Sequence, residues 1–103
     1  MKASIVIPNL NGAGWLKDSI ESIRAQTFRD FELIVVDNGS EDESLAIARS
    51  YVGQEGYTLI ENGRNTGFSH AVNQGIRAVG GASTVAGFIG AIFTCILFAL
   101  HVI

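Results

Sequence analysis

Phe31-Glu32-Leu33-Ile34-Val35-Val36-Asp37-Asn38-Gly39-Ser40-Glu41-Asp42 is the stretch that decides the fold. A run of consecutive apolar, mostly β-branched residues ends in a carboxylate, a turn dipeptide and a group of acids. An uninterrupted apolar run suits a parallel strand covered on both faces, whereas a strand with one wet face alternates. Ser4-Ile5-Val6-Ile7-Pro8 is a second run of this kind, closed by the chain's single proline, and Tyr57-Thr58-Leu59-Ile60-Glu61 is a weaker third. Helical spacing fills the gaps. Leu16, Ile20 and Ile23 form one apolar stripe, Leu45, Ala48 and Val52 a second, and Phe68, Val72, Ile76 and Val79 a third, as helices packed on a sheet require. Ser40-Glu41-Asp42-Glu43 has the form of a capping box, with Ser40 as cap and Glu43 reaching back. Gly12, Asn38-Gly39 and Asn62-Gly63 mark turns. The order β-α-β-α-β-α predicts an α/β, Rossmann-like domain with a parallel sheet and right-handed crossovers.

The chain has 103 residues, enough for one domain, and a formal charge of −3. It carries no basic field to hold a phosphate backbone, so nucleic acid is not an expected partner. One cysteine cannot form an internal disulfide; Cys95 reads as a small apolar residue. All seven Lys and Arg and all ten Asp and Glu lie between Lys2 and Arg77, and none follows. The expected organisation is therefore a charged domain over 1–79 and an apolar tail over 80–103. As a helix, the 22 residues from Ala82 to Ile103 would extend roughly 33 Å, against a hydrocarbon core of about 30 Å. The tail reads as an apolar C-terminal transmembrane helix, a single-pass membrane anchor. Arg77, the last cation before it, places the preceding domain in the cytoplasm.

In such sheets ligands bind beyond the carboxyl ends of the strands. The segments Pro8–Gly12 and Asp37–Ser40 fall there. The Asp37 carboxylate can accept hydrogen bonds from a nucleobase N–H or a ribose hydroxyl, or it can bond its own turn. Asn9 and Asn11 can meet a base edge or satisfy their own loop. Asn65 or Thr66 is the expected cap of the third helix, whose N-terminus can face an anion, and Arg64 beside it can meet a phosphate or simply lie at the surface. Gly12-Ala13-Gly14-Trp15-Leu16-Lys17 imitates a dinucleotide fingerprint, but Lys17 occupies the place of the third glycine, where close packing is needed. His70 has no partner at ligand spacing and reads as a helix-surface residue. No nucleophile–base pair and no metal cluster is visible, so no catalytic residue is assigned.

Together these strings carry a resemblance. Ser4–Gly12, Ser19-Ile20 through Gln26-Thr27-Phe28, Phe31–Asp42, and Glu61-Asn62 through Asn65-Thr66-Gly67-Phe68 with Asn73-Gln74-Gly75-Ile76 stand in the order and spacing of a known family. Residues 4–79 resemble the N-terminal half of a family 2 glycosyltransferase of the GT-A fold, and the Pro-Asn-x-Asn-Gly and Asn-x-Gly-Phe forms are most similar to its rhamnosyltransferase-like branch. The resemblance implies that a nucleotide-diphosphate sugar is the ligand. It assigns Pro8, Asn9, Asn11 and Asp37 to its base and ribose, and places Asn65–Gly67 beside the donor. Leu10 stands where many members have an aromatic residue.

The departures are equally specific. Family members follow the third helix with a fourth strand ending in an Asp-x-Asp motif, which holds Mg or Mn on the donor diphosphate. Here Gly80-Gly81-Ala82-Ser83-Thr84 leads into apolar sequence, and no acid follows Glu61. The abrupt change near Gly80 reads as truncation, frameshift or fusion. The resemblance then implies an incomplete fragment that does not transfer sugar by itself, since electrostatic stabilisation of the leaving group is usually the largest contribution. It also leaves Ser4–Ile7 as an open apolar edge unless Thr84–Ile89 takes the fourth strand's place and shortens the span. The rival readings are a non-enzymatic, membrane-tethered module binding a nucleotide or a protein, and a dinucleotide enzyme.

Overall fold

Ile5 and Ile7 face one side of the central strand and Val6 the other, and this period-two alternation divides the core in two. The computed structural model describes residues 3–25, 31–78, 84–91 and 94–101, with side chains over 4–25 and 31–78. The elements are β1 (Ala3–Asn9), α1 (Leu16–Arg24), β2 (Phe31–Asp37), α2 (Ser44–Arg49), β3 (Tyr57–Glu61), α3 (Phe68–Arg77), β4 (Thr84–Ala91) and β5 (Thr94–His101). They form one sheet in the order β3-β2-β1-β4-β5. β1 pairs in parallel with β2 from Ala3↔Phe31 to Asn9↔Asp37, and β2 in parallel with β3. Ile5, Ile7, Leu33 and Val35 meet Leu16, Ile20 and Ile23 of α1 and Ala48 of α2 on one face. Val6, Ile34 and Val36 meet Ala71 of α3 on the other. The near-continuous apolar strands are thus covered on both sides, as their composition requires.

The chain runs from β1 through β2 to β3, then returns to the far side of β1. The strand order therefore reverses between β1 and β4, the place where open α/β sheets leave a crevice for ligands. β4 pairs in parallel with β1 only from Ala3↔Thr84 to Val6↔Gly87. Pro8 has no N–H to continue that ladder, and the tip of β1 is left to its loop.

The tail corrects one expectation. Residues 84–91 and 94–101 are two antiparallel strands, with Ala91 opposite Thr94, and not the apolar helix read across 82–103; no helix of the described residues is long and apolar enough to cross a membrane. An apolar run does not distinguish strand from helix by periodicity alone. The arbiters were present: Thr84, Val85, Ile89, Thr94 and Ile96 are β-branched, Gly87 and Gly90 disfavour a helix, and the open edge of β1 needs a partner for its backbone groups. Residues 80–83, where the change of composition was read, and Gln26–Phe28 lie outside the described residues.

The helices depart from expectation in three smaller ways. α2 ends at Arg49, so Val52 is 60% exposed and stands outside its stripe. On α3 the buried residues are Ala71 and Gly75, while Phe68 and Ile76 are exposed. Small residues win because α3 lies close on β1: a Cβ at Gly75 would stand 2.2 Å from Cγ1 of Val6. Finally, Ser40 does not cap α2. The cap position is Glu43, whose side chain makes no cap bond; Asp42 just before it holds the helix start, with Oδ1 accepting from the Ser44 N–H at 2.9 Å and from its hydroxyl, and Oδ2 accepting from the Ala13 N–H at 3.0 Å. One carboxylate thereby fixes the start of α2 and the loop before α1. Burial, which alone would raise the Asp42 pKa, is outweighed by these bonds, and the carboxyl sits below its ordinary range. At the other end of α2, Arg49 donates twice to Glu61, at 2.9 and 2.7 Å, and lowers that carboxyl too.

Two predictions follow from this packing. In Gly75→Ala, overpacking of about 1–3 kcal/mol exceeds the ~1 kcal/mol that alanine gains over glycine in a helix. The denaturant midpoint should fall, and Val6→Ala in the same chain should recover part of the loss; a single variant as stable as the parent contradicts the close approach. Asp42 and Glu61 both hold depressed folded pKa values, so their stabilisation is complete above the unfolded values near pH 4 and is lost as pH falls through the folded ones. Thermal midpoints should drop below about pH 4, and less steeply in Asp42→Asn/Glu61→Gln; an identical acid limb in that variant contradicts the assignment.

Candidate functional site

Three strand tips end at the same edge of the sheet, and backbone bonds knit them beyond the strands. The Asn38 N–H donates to the Asn9 carbonyl at 2.8 Å, and the Asn62 N–H to the Asp37 carbonyl at 2.9 Å. A cavity of about 450 Å³ opens at this edge. The loop after β1 supplies Pro8, Asn9, Leu10 and Asn11, and the start of α1 supplies Gly14 and Trp15. Asn38, Asn65, Gly67, Phe68 and Ala71 line the other side.

Five of the six residues singled out in the sequence, Pro8, Asn9, Asn11, Asn65 and Gly67, line this cavity. Asp37 does not. Its side chain is 1% exposed, and both oxygens are engaged by the protein. Oδ1 accepts from Asn9 Nδ2 at 2.9 Å, and Oδ2 from the Ser40 N–H at 3.1 Å. Hydrogen bonds to a charged acceptor are stronger than neutral ones, which is what a buried carboxylate requires. Asp37 thus ties the tips of β1 and β2 together from inside.

Asn9 is fully buried and spends its amide nitrogen on Asp37 and on the hydroxyls of Ser44 and Ser40, at 2.9 and 3.1 Å. Asn11 closes the same seam from outside: its N–H donates to Ser40 Oγ at 3.0 Å, and its Oδ1 accepts from the Glu41 N–H at 2.8 Å. It holds φ at 54°, a left-handed conformation that asparagine tolerates better than most residues.

A second network joins the loops after β2 and β3. Asn38 Nδ2 donates to Asn65 Oδ1 at 3.1 Å and to the Gly67 carbonyl at 3.3 Å. Its Oδ1 accepts from the Thr66 hydroxyl at 2.8 Å and from Asn62 Nδ2 at 3.1 Å. Asn62 and Gln74 exchange a pair of amide bonds at 2.7 and 2.9 Å, which carries the network onto α3. Gly39, at φ 88°, lets the backbone of Arg64 approach: a Cβ there would lie 2.5 Å from its carbonyl carbon. Gly67 itself takes the cap position of α3, and Asn65 Oδ1 accepts its N–H at 2.9 Å. Asn65 is therefore a turn-former ahead of the helix and Thr66 is not the cap.

The sequence places Asn38 in the segment after the second strand and Asn62 in a turn, but assigns neither of them, nor Ser44 or Gln74, a part in the site. The available signal was an excess of amides at loop positions. Leu10, Trp15 and Phe68 give the cavity apolar walls, and Leu10 and Phe68 are 43% and 50% exposed. His70 is exposed on α3, as read. Among the described residues no three acids, histidines or cysteines converge on a cation site, so the side chains present do not fit the divalent ion of the resemblance. The cavity offers amide groups, backbone and flat apolar walls, which suits binding of a polar ligand with a planar ring.

Comparison with known proteins agrees. The sequence model of glycosyl transferase family 2 matches residues 4–91. An uncharacterised glycosyltransferase of Rickettsia prowazekii is 44% identical over 78 residues, 76% of this chain and 24% of that protein. A PGL/p-HBAD biosynthesis glycosyltransferase of Mycobacterium bovis is 43% identical over 74 residues, covering 71% of this chain and 29% of that one. The chain thus spans about a quarter of the length of these relatives. Among solved structures, TarS 1-349 of S. aureus in complex with UDP-GlcNAc superposes with a TM-score of 0.76 at 25% identity, over 85% of this chain and 26% of that one. A mannosyltransferase from Pyrobaculum calidifontis, solved with GDP-Man and Mn2+, shares the fold at 24% identity and a TM-score of 0.74, over 82% of this chain and 26% of that one. With the sheet order, the knitted loops and a family match over most of its length, the chain belongs to glycosyl transferase family 2.

Proposed function

We propose that this chain binds the nucleotide part of a nucleotide-diphosphate sugar in the cavity at the β1, β2 and β3 tips, as the donor-binding part of a glycosyl transfer. The observation that carries this reading is the convergence of three loops on one cavity at the switch point of the sheet, where ligands of α/β folds bind. The UDP-GlcNAc complex of the S. aureus relative supports the ligand class. Pro8, Asn9, Asn11, Asn65 and Gly67 are the contacts, and Asp37 acts on the ligand through the residues it holds. The α3 N-terminus at Gly67 lies on the cavity wall, where its unpaired N–H groups favour an anion such as a diphosphate. No acid follows Glu61, so the carboxylates that would hold a divalent ion on the donor diphosphate would have to come from outside these residues, and sugar transfer by this chain alone is not expected.

Titration calorimetry with a nucleoside diphosphate tests the reading. The parent chain should bind with a one-site isotherm. Asp37→Ala should lose at least about tenfold in affinity, because the Asn9 amide loses its charged acceptor and the Ser40 N–H its side-chain one at the joint of the two loops. Asp37→Asn keeps the shape and separates binding from folding, with circular dichroism checking that each variant folds. No heat from the parent, or undiminished affinity in a folded Asp37→Ala, contradicts the reading.

A further inference from the structure

β5 stands at the end of the sheet order, and among the described residues β4 alone pairs with it. Its outer edge therefore presents a row of backbone N–H and C=O groups that need partners. Proteins blunt such edges by keeping them short, or with charges, proline or a bulge. The opposite edge of this sheet is blunted: β3 has five residues and ends in Glu61, which pairs with Arg49 at 2.7 Å. β5 has none of these devices. It runs for eight residues, Thr94-Cys95-Ile96-Leu97-Phe98-Ala99-Leu100-His101, without Asp, Glu, Lys, Arg, Pro or Gly. It meets β4 residue for residue along its whole length, with no bulge to turn the edge away. The family match ends at Ala91, so β5 lies outside the framework shared with the relatives.

We propose that β5 is a dimerisation edge, and that its partner is β5 of a second copy of this chain, antiparallel across a two-fold axis. A two-fold interface must be complementary to itself. For a charged strand that is difficult, because like charges brought opposite each other are destabilising. β5 carries no carboxylate, ammonium or guanidinium, so its own copy is an unopposed partner. The antiparallel register that engages all eight residues sets Thr94 opposite His101 of the second copy, Cys95 opposite Leu100, Ile96 opposite Ala99 and Leu97 opposite Phe98. Pairs of aliphatic, β-branched and aromatic residues at such positions stabilise a sheet. The pairing joins two five-stranded sheets into one and leaves no unpaired strand edge at β5. It is independent of the donor-site reading.

Sedimentation velocity of the full chain over a range of concentrations tests this. The parent should show a monomer–dimer equilibrium. Leu97→Lys brings an ammonium group beside its own symmetry copy near the two-fold axis, and self-association should weaken at least about tenfold, with circular dichroism checking the fold. Because Leu97 also pairs with Phe88 of β4, a second readout uses the unaltered chain. Amide hydrogen exchange in β5 should slow as concentration rises through the dimer range, while exchange in β3, at the other edge, should not change. If the lysine variant does not fold, this readout decides alone. A parent that is monomeric at every concentration overturns the proposal. So does a dimer that folded Leu97→Lys leaves intact, or one whose β5 amides exchange as fast as in the dilute chain. Growth into open-ended polymers contradicts the closed two-fold pair, and a monomer that floats with phosphatidylcholine vesicles would give β5 to a lipid surface instead.

Discussion

The Asp37 carboxylate is the joint on which this site depends. It is the last residue of β2, buried against the tip of β1, and it holds the Asn9 amide with one oxygen and the Ser40 N–H with the other. Burying a carboxyl group there is expensive unless its oxygens are hydrogen-bonded, and each oxygen accepts one bond. The same bonds fix which way the Asn9 amide faces and where the Ser40 hydroxyl stands to receive Asn11. One costly burial is thus converted into a defined loop conformation on the neighbouring strand.

Asn38 does the corresponding work on the other side. Its two amide ends reach Asn65, Thr66, Gly67 and Asn62, so the loop before α3 is set by a residue that follows β2. Such networks are worthwhile only when nearly every member is satisfied, because a low-dielectric surrounding strengthens made bonds and penalises missing ones alike. The exception, Asn9 Oδ1, sits on a cavity-lining residue, which is where an unmet group has a use. Rigid strands present the loops, and side-chain amides stiffen them.

The framework was largely legible in the sequence. Apolar runs at Ser4–Pro8 and Phe31–Asp37 give strands paired in register, and Leu16, Ile20 and Ile23 form a fully buried stripe. The motif strings led to the right family. What was missed has physical causes. The apolar tail is ambiguous by period, and the pairing need of β1, a property of the assembled sheet, decided it as strand. Phe68 and Ile76 fall on an apolar stripe by helical spacing, but close approach at Val6 favours Ala71 and Gly75. Ser40 fits a capping box locally, yet its hydroxyl is taken by Asn9 and Asn11 at the tip of β1, and the Asp42 carboxylate holds the helix start instead. Asp37 stands out in the sequence as the carboxylate that ends an apolar run, but spacing alone does not tell a residue that touches a ligand from one that holds its neighbour.

The convergence of three loops on a nucleotide is tested most directly by mapping backbone amide shifts of the whole chain as a nucleoside diphosphate is added. The account predicts that residues far apart in sequence respond together and saturate at one concentration: Asn11 and Gly14 after β1, Asn38 after β2, Asn65 and Gly67 before α3. Shifts confined to one of these loops, or gathered at the opposite end of the sheet around Gly56, would contradict it.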